Sequence, residues 1–193
     1  MDFSAVILAA GTSGRMGIPK ISLKFNEYHN FTEHLCTSFN TSDCRKILLV
    51  VNNEGTELIK IRNFTLPQKT EIVVNNHTDY GRFYSLQCGL KKCDPTLPVF
   101  FTNIDNPFIE EGILTNLLPN LNDADYICPS FNNKGGHPVL LSPAIISDIL
   151  SYDDNTINLK VFLKKYRRKN IEFENCKILA NINTREDYKR WIG

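Results

Sequence analysis

Short, continuous apolar runs alternate along this chain with longer stretches in which apolar residues recur every third or fourth position. Runs of four to eight apolar residues bounded by turn-formers read as buried strands, and the 3.6-residue stripes read as amphipathic helices. Strands are expected at Ala5–Ala9, Lys46–Val51, Glu71–Val74, Pro98–Phe101, Tyr126–Pro129 and Pro138–Leu141, with an edge strand at Ile171–Phe173. Between them Phe31, Leu35 and Phe39 repeat every fourth residue, as do Leu86 and Leu90. Ile109, Ile113, Leu114 and Leu117 form another stripe, and Ile145, Ile146, Ile149 and Leu150 a further one. These stripes are core-facing by default. Strand alternating with helix is the pattern of an α/β domain with a mostly parallel sheet. In such sheets ligands bind beyond the carboxyl ends of the strands, so the loops after the first and fourth strands are the places to look for chemistry.

Composition narrows the class. At 193 residues the chain fits one domain spanning 1–193, with 42% hydrophobic and 22% charged residues, as in ordinary globular proteins. A formal net charge of +1 and the lack of a dense basic run speak against a nucleic-acid partner. Lys164, Lys165, Arg167, Arg168 and Lys169 cluster, a pattern usual for a solvated helix end. The six cysteines show no CxxC pair and no ligand spacing with histidine, so they are expected to act as small core hydrophobes. No stretch has the length of a bilayer span. The first apolar run, Phe3 to Ala10, lacks a basic leader and ends in a glycine loop, so a signal peptide is not expected and the compartment reads as reducing cytosol. The Asn-x-Ser/Thr matches beginning at Asn30, Asn40, Asn63 and Asn76 carry no meaning there.

The loop after the first strand changes the picture. Leu8 to Lys20 reads LAAGTSGRMGIPK: a buried strand opens into glycines at 11, 14 and 17, hydroxyls at Thr12 and Ser13, and cations at Arg15 and Lys20. Glycine lets backbone N–H groups turn toward one point, making a concave nest for phosphate oxygens, and the two cations supply charge for a triphosphate. Ile18 and Pro19 separate the last glycine from the lysine, which excludes a P-loop. The G-x-x-G-x-x-G spacing also departs from the dinucleotide fingerprint, which disfavours a dinucleotide-dependent oxidoreductase.

This segment closely resembles LAAGxSxRMGxxK, the signature of the MobA-like NTP transferases and their relatives. These include the molybdenum-cofactor cytidylyl- and guanylyltransferases, the methylerythritol-phosphate cytidylyltransferases and the sugar-phosphate nucleotidylyltransferases. Three further segments resemble family motifs in the family's order. Gly81–Leu90, GRFYSLQCGL, matches G-x-x-x-S-L-x-x-G-L; Val99–Pro107, VFFTNIDNP, matches a strand ending in D-x-P; and Asn181–Tyr188, NINTREDY, matches the closing [DN]-[IV]-[DN]-T-P-E-D-L. Gly135–Leu141, GGHPVLL, is similar to an element of the molybdenum-cofactor cytidylyltransferase branch. There are departures: Ile104 stands where glycine or cysteine is usual, and Arg185 replaces a proline.

The resemblance implies a Rossmann-like three-layer α/β/α nucleotidyltransferase fold and a nucleotidyltransferase activity. It implies that Leu8, Ala9, Ala10, Gly11, Thr12, Ser13, Gly14, Arg15 and Lys20, with Gly81 and Ser85, bind the nucleotide. Arg15, Lys20 and Asp105 would carry catalysis, and Asp105 with Asn183 or Asn181 would hold Mg²⁺ or Mn²⁺. His137 and Gly136 would face the acceptor. Thr184 with Asp187 also fits a capping box for the last helix, whatever the function. The expected partners are a nucleoside triphosphate and a phosphate-bearing small molecule, with neither nucleic acid nor membrane, in a monomer or homodimer. Ala10 and the GGHPV element favour CTP and molybdopterin, the NINT ending favours GTP, and sugar or alditol phosphates stay open as acceptors; the alternative class is a non-catalytic nucleotide-binding protein on the same fold, disfavoured by the presence of Arg15, Lys20 and Asp105.

Overall fold

The computed structural model describes residues 1–11 and 16–193. An eight-stranded sheet runs through the chain in the order β3-β2-β1-β4-β7-β5-β6, with β8 paired to the other side of β5. The strands are β1 (Phe3–Leu8), β2 (Cys44–Val51), β3 (Thr70–Val74), β4 (Val99–Asn103), β5 (Tyr126–Phe131), β6 (Lys134–Gly135), β7 (Val139–Leu141) and β8 (Arg168–Glu172). The first four pair in parallel, β7 runs antiparallel to β4 and β5, and β8 returns parallel to β5. The helices are α1 (Phe31–Ser38), α2 (Asn53–Ile61), α3 (Gly81–Leu90), α4 (Glu111–Leu117), α5 (Pro143–Leu150), α6 (Leu159–Leu163) and α7 (Arg185–Trp191).

Alternate residues of β1 face opposite cores, which explains why the strand reads as a continuous apolar run. Phe3, Ala5 and Ile7 join a cluster with Phe31 and Leu35 of α1 and Ile113 and Leu117 of α4. Val6 and Leu8 join a second cluster with Phe83 and Leu86 of α3, Ile145 and Ile149 of α5, and Phe162 of α6. Each large side chain withdrawn from water contributes roughly 1.5–3 kcal/mol. Together the two clusters hold helices on both sheet faces, giving the three layers. Gly89 lets α3 lie close on β1, since a Cβ there would come within 2.6 Å of Val6. Among the described residues no helix is long and apolar enough to cross a membrane.

The chain winds from β1 outward to β2 and β3, then crosses back to place β4 on the other side of β1. That reversal opens a crevice between the carboxyl ends of β1 and β4, where a ligand fits an open α/β sheet. Two helices escape the periodicity argument. α2 buries only Gly55 and Ile59, too narrow a stripe to register, although Asn52 caps it by accepting from Gly55 N–H at 2.7 Å. α6 has five residues, barely more than one turn.

Candidate functional site

The crevice at the β1–β4 reversal is a cleft of about 400 Å³ whose wall includes Leu8, Ala10, Gly11, Lys20, Gly81 and Ser85 on one side. Asn103, Ile104, Asp105, Asn181 and Asn183 line the other. Thr12, Ser13, Gly14 and Arg15, expected to bind the nucleotide, lie outside the described residues. Ala9 lies beside the same loop, with its N–H bonded to Val50 O at 2.7 Å.

The floor is set by β4. Its pairing with β1 continues one step past the strand through the Ile104 N–H bonded to Leu8 O at 3.0 Å, and the buried Ile104 side chain seals the strand end. Apolar Ile104 therefore extends the ladder where the resembling motif has a small residue. The next residue, Asp105, keeps about a fifth of its side chain exposed, at 21%. Its backbone carbonyl accepts from Ile182 N–H at 2.8 Å, tying the Asp105 loop to the segment before α7. Asn106 reinforces this tie: its Nδ2 donates to Ala180 O at 2.7 Å and its Oδ1 accepts from Asn103 Nδ2 at 2.8 Å.

Lys20 joins the two sides. Its Nζ donates to Asp105 Oδ2 at 3.0 Å and to Asn183 Oδ1 at 2.6 Å, with only 14% of the side chain exposed. Asn183 Nδ2 donates in turn to Asn181 Oδ1 at 2.7 Å. Asn183 thus shares the ammonium with Asp105, and Asn181 stands one step behind. Thr184 and Asp187 form the expected capping box at the start of α7, with Asp187 Oδ2 also accepting from Asn183 N–H at 3.0 Å. The cap that starts the helix also orients Asn183.

Whether a divalent cation suits these groups follows from the donors. Two oxygen acceptors from distant segments converge on one cationic centre, here the Lys20 ammonium. Among the described residues no three His, Cys, Asp or Glu side chains cluster as metal ligands. One carboxylate plus amide oxygens, open to a cleft, fits a hard cation such as Mg²⁺, which keeps waters and shares substrate phosphates rather than filling a protein cage.

The α3 side is built differently. Gly81 opens the helix at φ 84°, a backbone region other residues adopt only with strain. Ser85 sits one turn into α3, buried, donating to Gly81 O at 3.1 Å and accepting from the buried Asn75 Nδ2 at 2.9 Å. Its hydroxyl therefore braces the loop between β3 and α3. No motif in the sequence marks Asn75 or Arg82; Arg82, the cation beside Gly81, lines the cleft.

His137 and Gly136 lie beyond β4, in a neighbouring cleft. Asn103 Nδ2 lies 3.2 Å from His137 Nε2, so a donating amide leaves the ring proton on Nδ1. Nδ1 is sealed from solvent without a hydrogen-bond partner of good geometry. Gly136 is required by close approach: a Cβ would collide with the backbone carbonyl of Ile178, whose carbon would lie 2.8 Å away. Gly136→Ala is expected to cost about 1–3 kcal/mol. In a chain of this size each kcal/mol lowers the melting temperature by roughly 2–4 °C. At Gly135 a Cβ would meet only the flexible end of Arg168, so Gly135→Ala should melt near wild type. Equal melting of the two variants would contradict this packing.

Burial pushes the His137 imidazole down to about 4, outweighing the nearby Asp105 carboxylate and Phe101 carbonyl that favour its charged form. His34, stacked on Phe25 with centroids 3.5 Å apart, is likewise held at about 4 by burial. Both folded values lie below the ordinary 6.5, so between pH 6.5 and 4 the unfolded chain takes up protons that the native rings refuse. Stability should therefore fall as pH drops through that window. Carboxylates such as Asp187, held below 3.8 mainly by the Asn183 backbone N–H, lose their contribution only at more acid pH. Chemical denaturation at pH 7, 6, 5 and 4.5 should show the decline, with a shallower slope in His137→Gln. An identical slope in the variant would remove His137 from the account.

The family model described as the MobA-like NTP transferase domain matches residues 5–170. The molybdenum cofactor cytidylyltransferase of Escherichia coli (strain K12) is 26% identical over 186 residues, spanning 95% of this chain and 92% of that protein. Rv0371C of Mycobacterium tuberculosis H37Rv, solved as a complex with manganese, shares the fold with a TM-score of 0.77 at 17% identity, over 100% of this chain and 98% of that one. Molybdopterin-guanine dinucleotide biosynthesis protein A from Archaeoglobus fulgidus gives a TM-score of 0.73 at 15% identity, over 98% and 96% of the two chains.

Proposed function

This chain belongs to the MobA-like NTP transferase family, a family of divalent-metal-dependent nucleotidyltransferases, and from that premise we propose that it transfers CMP from CTP to the phosphate of molybdopterin. The observation that carries the site assignment is the meeting of Lys20, Asp105 and Asn183 at the β1–β4 reversal. The E. coli relative supports the choice of base and acceptor, as do Ala10 beside the cleft and the GGHPV element. The Asn181–Thr184 ending favours GTP as the second reading.

In the reaction an oxygen of the acceptor phosphate attacks the α-phosphorus, the new P–O bond forms, and the bond to the β-phosphate oxygen breaks to release pyrophosphate. The nucleophile is already anionic, so no side chain need take its proton. Catalysis rests on positioning and on charge neutralisation. Gly11 to Gly17 would cradle the triphosphate, with Arg15 on the leaving pyrophosphate. Lys20 would neutralise the α-phosphate, and Gly81 and Ser85 would frame the nucleoside through the braced loop. Asp105 and Asn183 would hold the cation, Mg²⁺ in the cell. When bound, a divalent ion neutralises phosphate charge and templates the triphosphate. Six free thiols suit a reducing cytosol.

The test is pyrophosphate release with magnesium, using CTP, GTP, ATP and UTP separately against molybdopterin and a panel of sugar and alditol phosphates. Release with CTP and molybdopterin alone is the expected result. Release only with GTP would move the reading to guanylyl transfer, and release only with a sugar phosphate would overturn the acceptor.

A further inference from the structure

The chain that borders the nucleotide cleft at Lys20 and Asn183 borders another groove at Ile18 and Arg185, two positions away in each case. That groove has a volume of about 530 Å³ and shares no lining residue with the nucleotide cleft. Its apolar surface comes from Met16, Ile18, Leu23 and Tyr188. Met16 and Leu23 are buried, while Ile18 keeps 45% of its surface in solvent. The Tyr188 hydroxyl donates to Lys24 O at 2.7 Å, and its ring stacks on Phe31 with centroids 6.2 Å apart. The wall is therefore fixed before anything binds.

Four cations complete the lining: Lys24, Arg62 at the end of α2, and Arg185 and Lys189 on α7. None of them is held in an ion pair, and among the described residues no acidic side chain lines the groove. Glu27 and Glu33 line an adjoining groove that shares Lys24 and Arg62, but Glu33 is taken by the N–H groups of Asn30 at 3.0 Å and Thr65 at 2.8 Å. Arg185 stands where the resembling motif has proline, and its guanidinium lies 3.7 Å from the point that a Cβ on Gly17 would occupy. It opens α7, where the helix dipole disfavours a cation, and it lies one turn before Lys189, so the two like charges repel. Carboxylates arriving from outside would reverse both effects.

We propose that this groove docks an acidic segment of a partner protein. An aliphatic or aromatic side chain of that segment seats on Ile18 and Tyr188, and flanking carboxylates meet Arg185, Lys189, Lys24 and Arg62. Charge selects the occupant. A second copy docked groove to groove would bring the same four cations together. A free inorganic anion would leave the apolar floor in water. Nucleic acid needs a basic track for its backbone, whereas these cations surround apolar side chains in a chain of net charge +1. The inference stands whichever triphosphate and acceptor the nucleotide cleft takes.

The experiment selects peptides from a random dodecapeptide display library on the full chain and measures the enriched peptides by fluorescence polarisation. Enriched peptides should carry Asp or Glu on both sides of an aromatic or aliphatic residue. Their affinity should fall about tenfold or more in Arg185→Gln/Lys189→Gln, and likewise in Ile18→Ser, which changes a different segment. Lys160→Gln/Lys164→Gln removes two exposed cations that line another cleft, and it should bind the peptides as wild type does. All the altered side chains are exposed, and relief of the repulsion on α7 should leave Arg185→Gln/Lys189→Gln melting at or above wild type. Enrichment of peptides without acids, equal affinity across the variants, or an equal loss in the Lys160 and Lys164 control would overturn the docking surface. So would failure of any peptide to enrich. Self-association of wild type in sedimentation that Arg185→Gln/Lys189→Gln abolishes would make the occupant a second copy. A single-stranded oligonucleotide that binds more tightly than every enriched peptide would make it nucleic acid. Either result overturns the acidic partner.

Discussion

Lys20→Ala is expected to lower kcat by about 10²–10³-fold, the effect of deleting one preorganised donor to developing charge. Two effects compete in this variant. The ammonium is proposed to neutralise the α-phosphate, so its loss slows transfer. In the nucleotide-free protein the same ammonium sits between Asp105 Oδ2 and Asn183 Oδ1, where it competes with a metal ion for both oxygens. Removing it should therefore tighten Mn²⁺ binding to the nucleotide-free protein even as turnover collapses. Steady-state pyrophosphate release and Mn²⁺ titration by electron paramagnetic resonance separate the two. Lys20→Arg should rescue poorly, because a planar fork does not replace a point charge held by two acceptors. Retained turnover in Lys20→Ala would remove the lysine from the chemistry, and unchanged Mn²⁺ affinity would remove the competition.

The parts of this site that were legible in the sequence are contiguous. Leu8, Ala10, Gly11 and Lys20, which line the cleft, fall within thirteen consecutive positions, and the capping box of Thr184 and Asp187 spans one helical turn. Strand positions were legible too, because β1, β2 and β4 are buried on both faces and leave unbroken apolar runs. Their observed bounds differ by one or two residues, since pairing extends past the apolar stretch: β4 ends at Asn103 and β2 begins at Cys44.

What was illegible depends on contacts between distant segments. The choice between Asn181 and Asn183 is one case. Two residues apart in extended chain, they share a face, and only the approach of Lys20 from 163 positions away separates them. The basic cluster is another: adjacent cations in the sequence divide between Asp123 and Asp125 on one side and an open cleft on the other. Arg82 belongs with these, since nothing in its neighbourhood shows that it stands between two clefts.

Asp105→Asn should be the second severe change, and it isolates charge from shape. The amide keeps the side-chain volume, and the backbone carbonyl of residue 105 still accepts from Ile182 N–H, so the loop should hold its place. What is lost is the negative charge facing Lys20 at 3.0 Å. Among the oxygens that meet there, Asn183 and Asn181 supply neutral amides, so Asp105 brings the charge that would attract a hard cation. At fixed magnesium kcat should fall about 10²–10³-fold, comparable to the loss of one transition-state contact. If the loss lies in metal affinity, raising magnesium should recover part of it, whereas Lys20→Ala should not respond. Exposed surface pairs contribute about 0–1 kcal/mol, and this one is only partly covered, so the melting temperature should move by a few degrees at most. A magnesium titration of pyrophosphate release, run beside thermal melts of both variants, reads all three quantities. Full turnover of Asp105→Asn at the wild-type magnesium concentration would mean that the carboxylate serves the fold, and that the cation is held elsewhere along the cleft.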